Sequence, residues 1–332
     1  MRGSAGRLSL RFGRLAWLVF VLAFLAASTE VQAPPPPASM RAAMPVPAPI
    51  PEAQPITPIP EPPAADPRKL ALGDALFHDP RLSGDGRRTC ASCHDIRTNG
   101  ADANVRDRSP AGVPLRFNTP TVFNAALSFR LGWTGKYRTL AAQAEASLVS
   151  PNFMGASFPG ILGRLDADPR TVRRFERAYG HRPDQASLLD AIATYEASLL
   201  TPGSRFDRWL EGDRSALSPE ELHGYQLFKS FGCISCHQGV NVGGNLFERY
   251  GIFHKLTAPG PKLLRVPSLR NIATTAPYFQ NGSAPTLKVA VRRMARAQLD
   301  RMLAQPQLDA IIAFLKTLTG KYRGVPVVAP PR

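Results

Sequence analysis

Cys90-Ala91-Ser92-Cys93-His94 recurs as Cys233-Ile234-Ser235-Cys236-His237, and these residues are where the chain can do chemistry. Two thiols one helical turn apart can add across the two vinyl groups of a porphyrin. A histidine directly after them can turn its imidazole onto the iron, so Cys-x-x-Cys-His is the pattern of c-type haem attachment. Two other readings compete. A zinc ribbon keeps its cysteine pairs roughly 15–20 residues apart, whereas these are 143 apart (233 minus 90) and each carries the extra histidine. A thiol–disulfide pair predicts no such histidine. The pattern therefore predicts two covalent haems, linked through Cys90, Cys93, Cys233 and Cys236, with His94 and His237 on the irons.

The elements that must position these groups read as short helices and long loops. Asp66-Pro67 is a helix N-cap followed by proline at the first helical position, with Leu70, Leu72, Leu76 and Phe77 at helical spacing behind it. After the first attachment site, residues 100–120 are rich in Gly, Pro, Asp and Asn and read as irregular loop. Helices are expected over 139–149, from Asp168-Pro169 to Tyr179, and over 185–200 with Leu188, Leu189, Ile192 and Leu199 on one face. The plan then repeats. Ser218-Pro219-Glu220-Glu221 is a capping box opening a helix that ends near Ser230, just before the second attachment site. Loops fill 239–281, and helices follow near 286–299 and 307–318. The expected fold is mainly α: two tandem cytochrome c-like domains, 66–203 and 204–325, each wrapped around one haem.

The 332 residues are 44% hydrophobic and 20% charged, which suits about two globular domains once the ends are set aside. All four cysteines lie in the two attachment motifs, so none is left for a structural disulfide. Arg2, Arg7, Arg11 and Arg14 precede an apolar run from Leu15 to Ala27, which predicts a secretory signal peptide over 1–28, or an N-terminal anchor if it is retained. The run is short for a membrane span, which takes about 20 apolar residues. Either form puts the body outside the cytoplasm, in the periplasm, with membrane contact only through an uncleaved N-terminus. Residues 29–65 read as a disordered linker, because 13 prolines between Pro34 and Pro63 leave little to bury. The formal charge of +16 would steer an acidic redox partner or an anionic surface. Export argues against nucleic acid as the partner.

The chain resembles the bacterial di-haem cytochrome c peroxidase family, which includes the MauG-like enzymes. The resemblance is carried in one order from Leu72 to Gly320. It begins with Leu72-Gly73, Leu76-Phe77 and Asp79-Pro80-Arg81-Leu82-Ser83, then Asn118-Thr119-Pro120-Thr121-Val122 with Asn124-Ala125. Trp133 and Gly135 follow, then Val266-Pro267-Ser268-Leu269-Arg270-Asn271, Ala276-Pro277-Tyr278-Phe279 with Gly282, and Met294 with Gln298-Leu299. It implies that hydrogen peroxide reacts at the N-terminal haem on His94, which needs an open sixth position. The C-terminal haem would be an electron store on His237 and Met294, with Met302 as the rival thioether. Trp133 would relay electrons between the haems. A calcium ion would sit between them on Asn118, Thr275 and Pro277, partly through backbone oxygens. The donor would be a small cytochrome c or cupredoxin, and two copies of the chain would pair as a homodimer.

Two departures from the family pattern bear on activity. In many members a loop histidine closes the peroxide site until reduction, but residues 99–117 hold no histidine, so the N-terminal haem is expected to be open as made. His78, His181, His223 and His254 read as surface or packing residues. The family's Asn-Pro-x-Glu-Met-Gly stretch, whose Glu hangs over the peroxide site, here reads Ser150-Pro151-Asn152-Phe153-Met154-Gly155. Phe153 cannot move a proton. Either another group such as Glu145 does so, or turnover with peroxide is slow. That leaves two alternatives to a peroxidase: MauG-like oxidation of a protein substrate, and a non-enzymatic electron carrier or peroxide sensor. MauG itself uses Tyr rather than Met as its second axial ligand, a point against the first.

Overall fold

The computed structural model describes residues 54–256 and 260–331. The expected signal or anchor and most of the proline-rich stretch lie outside the described residues. Each half is built on one pair of crossing helices. In the first, α1 (Pro67–Phe77) is capped by Asp66, whose carboxylate accepts from the Arg68 N–H at 2.8 Å. It crosses α5 (Gln185–Ala197) at Gly73, where a Cβ would overlap the Ala191 carbonyl oxygen, so only glycine lets the backbones approach. In the second, α7 (Pro219–Ser230), opened by the Ser218/Glu221 capping box, crosses α9 (Gln305–Lys316) at Gly224 against the Ala310 carbonyl in the same way.

The remaining helices fill in around these crosses. They are α2 (Leu140–Val149), α3 (Phe158–Asp166), α4 (Pro169–Tyr179), α6 (Arg205–Leu210) and α8 (Leu287–Leu299). Two short antiparallel ribbons join them: β1 (Phe247–Arg249) with β2 (Leu263–Arg265), and β3 (Lys321–Tyr322) with β4 (Val325–Pro326). The first core packs Leu72, Leu76, Leu148, Ile161, Phe175 and Ile192; the second packs Phe206, Tyr225, Phe228, Ile311 and Phe314. Helices α3 and α6 and both ribbons were not foreseen, and α9 begins two residues earlier than expected because Pro306 is accepted in its first turn.

The two halves follow one plan at a displacement of 147 residues (271 minus 124). Asn124 and Asn271 both take left-handed backbone, with φ 60° and 59°, before a short 3₁₀ turn. The bridge Leu131–Tyr137 recurs as Tyr278–Ala284, and the α2 cap Thr139 recurs as the α8 cap Thr286. The copies grip each other through buried amides. Asn124 and Asn271 each donate from Nδ2 to the Thr201 hydroxyl, at 2.7 and 3.0 Å. Asn99 reaches the Thr274 carbonyl and Asn241 the Asn124 carbonyl, at 2.7 and 3.1 Å.

The expected disordered linker through residue 65 is corrected over its described part. Ile56 and Ile59 are buried in the second half, at 1% and 3% exposure. Extended proline-rich backbone keeps its carbonyls free; Pro55 accepts from the Gly239 N–H at 2.8 Å, and Thr57 from Arg270 Nη2 at 2.8 Å. The Ile59 N–H and Arg270 both bind Asp207, whose pair with Arg270 is fully buried. Proline count masked two isoleucines with a core to fill. The segment runs from the second domain's surface straight into α1 of the first.

Candidate active site: a cavity that joins both attachment motifs

Each motif forms a single 3₁₀ turn, Cys90–Ser92 and Cys233–Ser235. Thr89 and Ser92 close a capping box on the first; Gly232 enters the second with left-handed backbone. The His94 N–H returns to the Cys90 carbonyl and the His237 N–H to that of Cys233, both at 3.0 Å, so each imidazole follows directly on its pair of thiols. His94 Nδ1 lies 3.2 Å from the Gly100 carbonyl and His237 Nδ1 3.3 Å from that of Val242. An Nδ1–H donated there fixes the tautomer that leaves Nε2 free for a metal. Burial favours the neutral ring that ligation needs, lowering the pKa of both and taking His237 to about 4. All four cysteines are free, and among the described residues no three or more His, Cys, Asp or Glu gather as a metal site.

Both motifs open into one continuous, largely apolar cavity of about 600 Å³. Its walls include Cys90, Cys93, His94, Cys233, Cys236 and His237. Met294, on α8, also lines it. Met302 does not: it is 74% exposed, and its sulfur accepts from Arg296. On α2 the inward face is Leu140, Gln143, Ala144, Ser147 and Leu148, and Gln143 Nε2 donates to the Ser147 hydroxyl at 2.9 Å. Ser147 follows the cap Thr139 by eight residues, as Met294 follows Thr286, so it takes the place on α2 that the thioether takes on α8. Counting from the two threonine caps would have found it in the sequence.

Phe153 also lines the cavity, at its mouth, with 45% of its surface exposed. Glu145 is not part of the wall; its carboxylate accepts from Gln185 at 3.0 Å. His78, His181, His223 and His254 are likewise not in it. Trp133 is half-buried on the wall, its indole N–H bound to the Asn118 carbonyl at 2.8 Å and its own carbonyl accepting from the Arg265 N–H at 3.0 Å. Asn118, Thr275 and Pro277 line the same space, with the Asn118 amide nitrogen held by the Asn104 carbonyl at 2.9 Å. Their oxygens suit a hard cation, and no carboxylate is among the three.

Two buried ionisable groups on the wall lack a counter-charge among the described residues, and neither stands out in the sequence. Arg265 gives Nε to the Gly132 carbonyl at 3.2 Å, while its Nη1 has no hydrogen-bond partner and no carboxylate pairs with it among the described residues. Burial brings its pKa down to about 10. A guanidinium removed from water calls for an anion, and a porphyrin carries two propionates, so the wall is complementary to haem in charge as well as in shape. Glu196, on α5, is the second such group, 7% exposed with Oε2 unpartnered. It falls four residues after Ile192 on the predicted apolar face, and that misplaced carboxylate was the available signal.

Comparison with known proteins follows the same division. A family model described as di-haem cytochrome c peroxidase matches residues 67–215, and one described as cytochrome c matches 222–319. The cytochrome c551 peroxidase of Nitrosomonas europaea is 37% identical over 75% of this chain and 79% of its own length. The chain belongs to the bacterial di-haem cytochrome c peroxidase family. Another member, the cytochrome c peroxidase Ccp of Escherichia coli, is 39% identical over 81% of this chain, which spans 62% of the length of that relative. The methylamine utilization protein MauG of Methylorubrum extorquens is 30% identical over 81% of both chains. Among solved structures, a MauG-like protein associated with microbial copper homeostasis superposes with a TM-score of 0.69 at 26% identity, over 79% of this chain and 94% of that one. The diheme peroxidase BthA of Burkholderia thailandensis shares the fold, with a TM-score of 0.64 at 22% identity over 77% of this chain and 87% of that one. Family membership and the two tandem cytochrome c domains imply two c-type haems.

Proposed function

We propose that this member of the family is an exported, periplasmic peroxidase that reduces hydrogen peroxide at the N-terminal haem. A small redox protein would deliver the electrons through the C-terminal haem. The observation that carries the reading is the inequality of α2 and α8: α2 presents a serine to the cavity at the position where α8 presents a methionine. Bound there, the two irons would supply one-electron chemistry and, on the side without an axial side chain, the place where peroxide reacts. Each peroxide takes two electrons and two protons to give two waters.

The chain's own residues set how well this goes. Met294 would hold the second iron against small ligands and raise its potential. Gln143 donates to Ser147, which leaves the serine O–H free to orient a ligand in the open space. Phe153 excludes water from one side but carries no proton, and a positioned acid contributes about 10²–10⁴-fold to such a step. Trp133 bridges the halves through Asn118 and Arg265, a suitable place for an indole relay. Asn118, Thr275 and Pro277 would hold calcium beside it. The basic surface favours an acidic cytochrome c or cupredoxin as donor.

The exposed Phe153 supports a second reading, slow MauG-like oxidation of a protein side chain. One assay separates the peroxidase from a mere carrier or sensor. Holoprotein, peroxide and a reduced small cytochrome are mixed, and cytochrome oxidation is followed. A rate well above that of free haem supports the peroxidase, and a rate no better than free haem rejects it.

A further inference from the structure

Glu196 has no role in the peroxidase reading, yet it sits in the wall of the haem cavity. It lies on α5, one turn beyond Ile192, which also faces the cavity, and within electrostatic reach of the Cys90 sulfur. Among the described residues its Oε2 has no hydrogen bond and no cation reaches it. The charged groups on the elements packed against α5 are engaged elsewhere. On α1, Arg68 is paired with Asp66, Lys69 with Asp190, and Asp74 with His78; on α2, Glu145 binds Gln185. Tyr195, the neighbour of Glu196 in sequence, is buried against Phe77. A buried carboxyl with no counter-charge holds its proton, and burial alone raises Glu196 from 4.5 to about 8.

We infer that Glu196 is the redox-linked proton site of the N-terminal haem, taking one proton from solvent when that haem accepts one electron. The inference rests on the haem reading above. The sign follows from charge. The oxidised haem carries one more positive charge, which favours the carboxylate. The reduced haem favours the neutral acid. Between the two corresponding pKa values one proton enters per electron, and the potential falls as pH rises. One proton per electron is about 59 mV for each tenfold change in proton concentration. Glu196 thereby acts as a positioning residue for the driving force, through the iron and without touching peroxide.

The test is a spectroelectrochemical titration of the holoprotein at several pH values, for wild type and Glu196→Gln, with the two haems resolved by their spectra. The N-terminal potential of wild type should fall with rising pH, and that of the variant should be flat and higher at the alkaline end. The C-terminal potential serves as the internal control. A slope that survives in Glu196→Gln, or a flat wild type, overturns the proposal while leaving two haems in place. A preparation with one haem or none overturns the underlying reading instead. If the variant yields no holoprotein, redox-difference infrared spectra of wild type decide. Reduction should bring up the carbonyl stretch of a buried protonated carboxylic acid that shifts in D₂O, and its absence refutes the assignment.

Discussion

Ser147 and Met294 occupy equivalent places in two copies of one design, each eight residues beyond a threonine N-cap and each on the wall of the shared cavity. One side chain ends in a thioether long enough to reach an iron; the other ends in a hydroxyl one bond from Cβ. On the proposed reading, a single equivalent position makes the two haem sites unequal, and the Gln143 hydrogen bond holds the shorter chain where it is.

Ser147→Met should therefore close the N-terminal site. The ferric spectrum of wild type should show one high-spin and one low-spin haem. The variant should show two low-spin haems, and cyanide binding should weaken by at least tenfold. Met294→Ala should do the reverse, making the C-terminal haem high-spin. An unchanged spectrum in both variants would mean that neither α2 nor α8 presents the axial position.

Phe153→Glu places an acid in the cavity mouth at the turn where the family carries one. The expected gain in peroxide reduction is of order 10²–10⁴, equivalent to about 3–5 kcal/mol of barrier. Stopped-flow rates at neutral pH are the measurement. No gain, with both haems intact, would show that a proton already reaches the site by another route.

The attachment motifs and the helices flanking them were legible because their signals are local. Cys-x-x-Cys-His, Asp-Pro caps and a Ser-x-x-Glu capping box act within one or two turns. Ser218 to Ser230 and Asp168 to Tyr179 accordingly fall where expected. What escaped depends on contacts distant in sequence. Arg265 reads as one more arginine in a basic chain until Gly132 and Trp133 are found beside it. Glu145 sits at helical spacing from Phe153, yet α2 turns it away from the cavity to Gln185. Ile56 is hidden by the prolines around it.

That isoleucine gives a prediction for the tether. Ile56→Ala should destabilise the protein by about 2–5 kcal/mol, the usual range for emptying a fully buried aliphatic site. Denaturant unfolding of the holoprotein measures it. A cost below 0.5 kcal/mol would return residues 54–60 to the status of a loose spacer, as their composition suggested.

Arg265 gives the sharpest test of what fills the cavity. Among the described residues no anion meets its buried guanidinium, a state that costs stability. If a propionate supplies the anion, removing one partner of the buried pair leaves the other uncompensated. Arg265→Met should then destabilise the holoprotein by about 3–5 kcal/mol. Loss of a positive charge beside a porphyrin should also lower one of the two midpoint potentials, because the oxidised haem is then better stabilised. Were a calcium ion or an empty pocket the neighbour instead, replacing the lone buried cation by an apolar side chain of similar reach would leave stability unchanged or improved. The two cases differ in sign, so one unfolding curve per variant distinguishes them.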